Sequence, residues 1–125
     1  MRFKCFIVVA GIISLEPVTA IAQDHPLLGR WARDDGKAHV KIERCGKDWC
    51  AVNTWIKPGI KDEKVGDRLI MTLDEGNGEG FHGSAHDPQR KLTFKISVLA
   101  RPDVLQTRGC VLGGVVCKTA RWTRL

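Results

Sequence analysis

The chain has 125 residues, 43% of them hydrophobic and 27% charged, with 20 Lys+Arg against 14 Asp+Glu and a net charge of +6. That length admits one domain and excludes a multidomain enzyme, and the apolar fraction excludes disorder by composition. Five Cys, four Trp and no Tyr complete the outline.

The first element is a leader. Met1-Arg2-Phe3-Lys4 is basic, residues 5–13 read CFIVVAGII, and Glu16 and Pro17 end the apolar block. Ala20-Ile21-Ala22 then supplies the small-x-small pattern that a signal peptidase needs. Basic, apolar and small-residue regions in this order predict export, with cleavage after Ala22. The expected organisation is a signal peptide over 1–22 and one domain over 23–125. The apolar block is too short to span a bilayer and no second one follows, so no transmembrane segment is expected in the mature protein. Cys5 directly follows the charged residues with no small residue before it, so no lipid anchor is expected.

After residue 27 the pattern changes to short alternating runs broken by Gly, Asp, Asn or Pro. The first run is 28–33, stopped by Asp34-Asp35-Gly36. Residues 37–44 place Ala38, Val40 and Ile42 on one face and His39, Lys41 and Glu43 on the other, the period of a half-buried strand. Further strands are predicted over 50–57, 69–74, 80–86, 91–98, 104–112 and 115–124. Residues 61–67 are polar and read as a loop, Glu75-Gly76-Asn77-Gly78 as a turn, and Asp87-Pro88 as another. No run has the periodicity of an amphipathic helix of ten or more residues. About eight short strands with brief turns predict an all-β, small antiparallel barrel of up-and-down order. Closure removes exposed strand edges. An open sandwich is the rival architecture.

The mature cysteines are Cys45, Cys50, Cys110 and Cys117. An even number in an oxidising compartment predicts disulfides, and four allow three pairings. Each local pair brackets turn residues. Gly113-Gly114 suits a two-residue hairpin turn, which would place Leu112 opposite Val115 and Cys110 opposite Cys117, within disulfide reach. Pairing 45–50 with 110–117 is preferred over crossed pairing, and each small loop should stabilise by roughly 2–3 kcal/mol. The four- and six-residue gaps are wider than the usual spacing of zinc ligands.

Little else carries chemistry. His82 and His86 share one face of a strand, but at about 3.3 Å per residue they stand about 13 Å apart, too far for one metal ion. His86-Asp87 has no Ser or Cys nucleophile in a recognised motif beside it. Residues 74–79 lack the spacing of a calcium loop, and no phosphate loop or dinucleotide fingerprint occurs. The basic excess is spread along the chain, so in the cell envelope it fits anionic lipid or polysaccharide better than nucleic acid. No metal, cofactor or nucleic-acid partner is expected.

The chain resembles domain-of-unknown-function family 2147, small exported bacterial proteins. The resemblance rests on Gly29-Arg30-Trp31, Asp35-Gly36-Lys37-Ala38, Ile42-Glu43-Arg44-Cys45-Gly46, Cys50, Trp55-Ile56-Lys57 and Asp87-Pro88. Its most specific block is Arg108-Gly109-Cys110-Val111-Leu112-Gly113-Gly114, followed by Cys117 and Trp122-Thr123-Arg124. It implies a lipocalin-like β-barrel in the periplasm or outside the cell, and no catalytic residues. Many members have a longer Pro- and Asn-containing insert after the Trp-Ile-Lys motif, where this chain has only residues 58–67, a shortened rim loop. Gly29-Arg30-Trp31 is also similar to the Gly-x-Trp that opens lipocalin barrels. That likeness implies an Arg of the last strand over the Trp face, Arg121 or Arg124, plugging one barrel end together with Gly29.

The expected function is non-enzymatic binding. Val40, Ile42, Leu69, Met71, Phe94 and Ile96 would line an interior that accepts a lipid or other small apolar molecule. A barrel of eight strands is often filled by its own side chains, so a solid-core envelope structural or interaction protein is the alternative, and an enzyme without a recognised motif the third reading.

Overall fold

The computed structural model describes residues 10–15, 25–75 and 80–125. The leader expected over 1–22 falls largely outside these residues, as do its cleavage residues Ala20 and Ala22. Eight antiparallel strands follow one another around a closed barrel: β1 (Gly29–Arg33), β2 (Ala38–Cys45), β3 (Asp48–Ile56), β4 (Arg68–Glu75), β5 (Gly80–Asp87), β6 (Leu92–Ala100), β7 (Val104–Val111) and β8 (Val116–Arg124). β1 closes the ring by pairing with β8 through Trp31↔Arg124 and Arg33↔Trp122. Among the described residues there is no α-helix, only a 3-10 turn over Leu112–Gly114. No helix among them is long and apolar enough to cross a membrane.

The alternation of the sequence is what the barrel sorts inward and outward. Ala38, Val40 and Ile42 of β2 are buried while Lys41 and Glu43 face solvent. In β6, Ile96, Val98 and Ala100 are buried while Lys95 and Leu99 are exposed. Period two gives such strands one apolar face, and curling that face inward buries it without a second layer; β3 breaks the alternation where its register with β2 shifts between His39 and Val40.

The turns fix the register. Cys45 pairs with Asp48 across Gly46-Lys47, with Gly46 at φ +66°. β3 therefore starts two residues earlier than the sequence suggests, because a left-handed glycine closes the hairpin tightly. At the β7–β8 turn, Cys110 faces Cys117 and Val111 faces Val116. The turn takes residues 112–115 rather than Gly113-Gly114 alone, with Leu112 itself at φ +53°. Both versions are centred between the two glycines, so the cysteine register is the same while Leu112 and Val115 leave the ladder. Disulfides join Cys45 to Cys50 and Cys110 to Cys117.

Antiparallel order places the β2–β3 and β6–β7 turns and residues 25–28 at one end of the barrel. The β1–β2, β3–β4, β5–β6 and β7–β8 connections stand at the other. The largest fully buried side chains are Trp31, Trp49, Leu27 and Leu105. Together with Phe81 they fill the first end and its adjoining half.

Candidate binding site at the barrel mouth

The closed end is built around one stacked pair. The Arg124 guanidinium lies 4.2 Å from the centre of the Trp31 ring. It donates to the carbonyls of Leu28 at 2.7 Å, Pro26 at 3.1 Å and Pro102 at 2.7 Å. Trp31 Nε1 donates to Leu27 O at 3.1 Å. Gly29 has φ +128°, and a Cβ there would stand 2.6 Å from Arg124 Nη1, so the position needs glycine on both counts. Arg121 does not join this plug. Its side chain is exposed, with Nε 3.9 Å from Asp34 Oδ2, because odd and even positions of β8 point to opposite faces and Arg121 falls on the outer one.

The other half is not filled. A cavity of about 420 Å³ opens at the mouth, within the range of roughly 300–1,000 Å³ typical of small-molecule sites. Val40, Ile42, Leu69, Met71, Phe94 and Ile96 all stand in its wall. Space exists because the facing strands present small residues there: Ala51 on β3, Gly109 on β7 and Ala120 on β8. A Cβ at Gly109 would lie 2.8 Å from the Phe94 ring, so the ring occupies the place a side chain would take.

The rim is polar and ordered by ion pairs. Residues 57–67 form a strap from β3 to β4 across the mouth. Arg33, which points inward because it is two residues beyond Trp31, grips the strap through both carboxylate oxygens of Glu63 at 2.7 Å each. Its Nε donates to Asp35 Oδ2 at 2.8 Å. The hydrogen bond from Arg33 holds the Glu63 carboxyl below its ordinary value of 4.5, outweighing burial, and Glu63 in turn raises Arg33. The strap is also tied to β3, where Asn53 N donates to Asp67 O and Asn53 O accepts from Gly66 N.

A second pair stands beside it. Asp87, at the inward-facing end of β5, accepts from Arg90 Nη1 at 2.8 Å, Gln89 Nε2 at 2.8 Å and the backbone N–H groups of Gln89 and Arg90. Burial alone would raise its pKa, but these donors outweigh it and hold the carboxyl below 3.8. Arg90 reaches on to the Asp62 carbonyl of the strap, and Gln89 Nε2 donates to Arg68 O at 2.7 Å. Trp122 completes the wall, its Nε1 donating to Thr107 Oγ1 at 3.1 Å and Arg33 lying 5.7 Å from its ring centre.

Sequence reasoning reached the apolar wall and missed the rim. Asp87 was legible as a turn former, yet its alternation with Phe81 and Ala85 also aims it inward. Arg33 follows Trp31 at the same two-residue step. Glu63 gave no signal beyond lying in a charged loop. His82 and His86 face outward and bond Ser97 Oγ at 3.2 Å and Thr93 Oγ1 at 2.8 Å.

No curated protein and no solved structure matches the chain. The family model described as "Uncharacterized protein conserved in bacteria (DUF2147)" matches residues 29–124, which takes in every strand of the barrel. The chain belongs to this bacterial family of uncharacterised proteins.

Proposed function

We propose that the protein is an exported carrier that holds a small amphipathic molecule, apolar part inward, in the mouth half of its barrel. The carrying observation is the cavity itself: an apolar wall from Val40 to Phe94 under a rim of ion pairs, in a barrel whose opposite half is packed solid. Export is supported by the leader pattern and by two disulfides, which persist in oxidising compartments. The open half favours binding over a solid-core structural role.

The rim also supports binding without turnover. A general acid or base works best with a pKa near the working pH. Of the carboxyls that line the cavity, Glu63 and Asp87 are held below their ordinary range by arginine, so both stay ionised and occupied, and Asp67 accepts from the Lys64 N–H.

Native mass spectrometry of protein purified from the cell envelope tests the reading. An added lipid-sized mass, or uptake of a fluorescent apolar dye, is expected. Ala120→Phe, which fills the cavity from β8, should abolish either signal while circular dichroism stays that of the barrel. A clean apo mass with no dye uptake, or dye uptake unchanged by Ala120→Phe, overturns it.

A further inference from the structure

The apolar and basic side chains that the barrel leaves in solvent are not distributed evenly between its ends. Val65 of the strap, Leu92 at the start of β6, and Leu112, Val115 and Val116 of the β7–β8 hairpin are exposed at the mouth. Leu112 and Val115 are 76% and 82% exposed. At the closed end the large exposed apolar residues among those described are Leu99 and Leu125. Leu112 also has a left-handed backbone, an unfavourable conformation for a side-chain-bearing residue, and its side chain has no packing to compensate.

Charge follows the same asymmetry. Lys57, Lys61, Lys64 and Lys91 surround the mouth, with Lys118 on the cavity wall beneath them, while Lys47 stands alone among lysines in the turns of the closed end. Of the acidic residues at the mouth, Asp35 and Glu63 are paired with Arg33, Asp87 with Arg90 and Asp34 with Arg121, which leaves Asp62 and Asp67 against the exposed lysines. The lysine ammonium groups make no ion pair among the described residues. The outward field at the mouth is therefore cationic.

We infer that the mouth end docks on an anionic lipid surface, with the Leu112–Val116 hairpin tip and Val65 entering the headgroup layer and the surrounding lysines facing the lipid phosphates. Apolar tips ringed by lysine are the composition of interfacial membrane binding, where buried apolar area and attraction to anionic lipid add. A second copy of the chain would meet the same cationic ring with its own, which disfavours self-association through this face. The geometry sets the cavity opening against the bilayer, so an amphipathic guest could pass between them without crossing water. Docking stands on the exposed residues alone, and the exchange of a guest rests on the proposed carrier function.

Flotation with vesicles tests it, using protein expressed from the full coding sequence with its N-terminus determined by mass. Binding to vesicles of phosphatidylcholine with phosphatidylglycerol, and little to phosphatidylcholine alone, is expected. Lys61→Gln with Lys91→Gln should weaken partition, by about fivefold per lysine, and Leu112→Ser with Val115→Ser should weaken it at least as much. Leu99→Ser at the closed end, with the same N-terminus, should leave it unchanged. These positions are exposed, and unaltered thermal melting identifies variants that keep the fold. Absence of binding to the anionic vesicles, binding equally affected by Leu99→Ser, or a dimer in analytical ultracentrifugation that Leu112→Ser dissolves would each overturn docking. None of these outcomes touches dye uptake by the cavity, so the carrier reading stands or falls separately.

Discussion

The two ends of this barrel are made by the same strands with the same alternation, and they differ in what stands at the inward positions. At the closed end β1, β3 and β5 contribute Trp31, Trp49 and Phe81, and Arg124 caps the stack with hydrogen bonds to three carbonyls. At the mouth β3, β7 and β8 contribute Ala51, Gly109 and Ala120, and Arg33 and Arg90 bind carboxylates, Arg90 adding one carbonyl of the strap. Period-two patterning decides which face is inward. Side-chain volume along that face decides whether the interior is core or cavity. Both ends place an arginine near a tryptophan: Arg124 over Trp31 at 4.2 Å, and Arg33 beside Trp122 at 5.7 Å. The first seals and the second leaves room, because Arg33 is drawn toward the strap by Glu63.

The largest effect should come from emptying the filled end. Trp31 is fully buried. Trp31→Ala removes its ring, leaves Arg124 without a stacking surface and should destabilise by about 3–5 kcal/mol, read by chemical denaturation. A loss below about 1 kcal/mol would mean that the closed end does not carry the stability of the fold. The same kind of truncation at the mouth, Leu69→Ala, enlarges an existing cavity, removes fewer contacts and should cost less.

The disulfides come next, and they divide between the ends. Cys45–Cys50 staples the hairpin of the closed end and Cys110–Cys117 the hairpin of the mouth. Each closes a small loop, so removing either by double serine substitution should cost about 2–3 kcal/mol. The consequences should differ in kind. Losing 45–50 loosens the plug side. Losing 110–117 frees the hairpin that carries Leu112 and adjoins Gly109, so it should weaken dye binding as well as stability. Equal dye affinity in both double variants would remove this distinction.

A smaller effect sits inside the cavity wall. The Phe94 ring rests where a Gly109 side chain would be. Gly109→Ala forces the ring to shift, at a cost of roughly 1–3 kcal/mol for overpacking, and changes the shape of the cavity without filling it. Dye affinity should change more than the melting temperature. Unchanged affinity would mean that Phe94 is not part of the binding wall.

Much of the barrel was legible because it depends on local signals. Strand alternation, Gly and Asp-Pro turns and cysteine spacing are all properties of neighbours in sequence, and they placed Val40, Ile42, Leu69, Met71, Phe94 and Ile96 on the inner face. The family blocks covered the same strands and put an arginine of β8 at the plug. Alternation could have chosen Arg124 over Arg121, since Trp122 and Arg124 share a face. What could not be read were pairings between distant residues with no periodic signature. Arg33 and Glu63 are thirty positions apart, and nothing local says that a charged loop folds back over the mouth. Whether the interior was open was equally illegible, since it depends on Ala51, Gly109 and Ala120 converging from three strands.

The strap supplies the smallest effect and the one most dependent on conditions. Glu63 and Arg33 are each mostly buried, so Glu63→Gln should cost about 1 kcal/mol near neutral pH, toward the upper end for a partly exposed ion pair. Arg33 holds the folded-state pKa of Glu63 below its ordinary 4.5, so the pair stabilises fully above that value and is lost as pH falls through the folded pKa. The difference between wild type and Glu63→Gln should therefore be constant from about pH 7 down to pH 5 and shrink below it. Asp87 moves in the same direction from 3.8, and it should persist in both proteins as a shared decline at lower pH. The strap crosses the mouth and leaves the plug untouched, so its release should speed dye entry more than it lowers stability. Stopped-flow uptake at pH 7 is expected to be faster in Glu63→Gln with little change at equilibrium. An unchanged entry rate would show that the guest enters by another side of the rim, between the β7–β8 hairpin and the β5–β6 turn, where Gln89 and Arg90 stand instead of the strap.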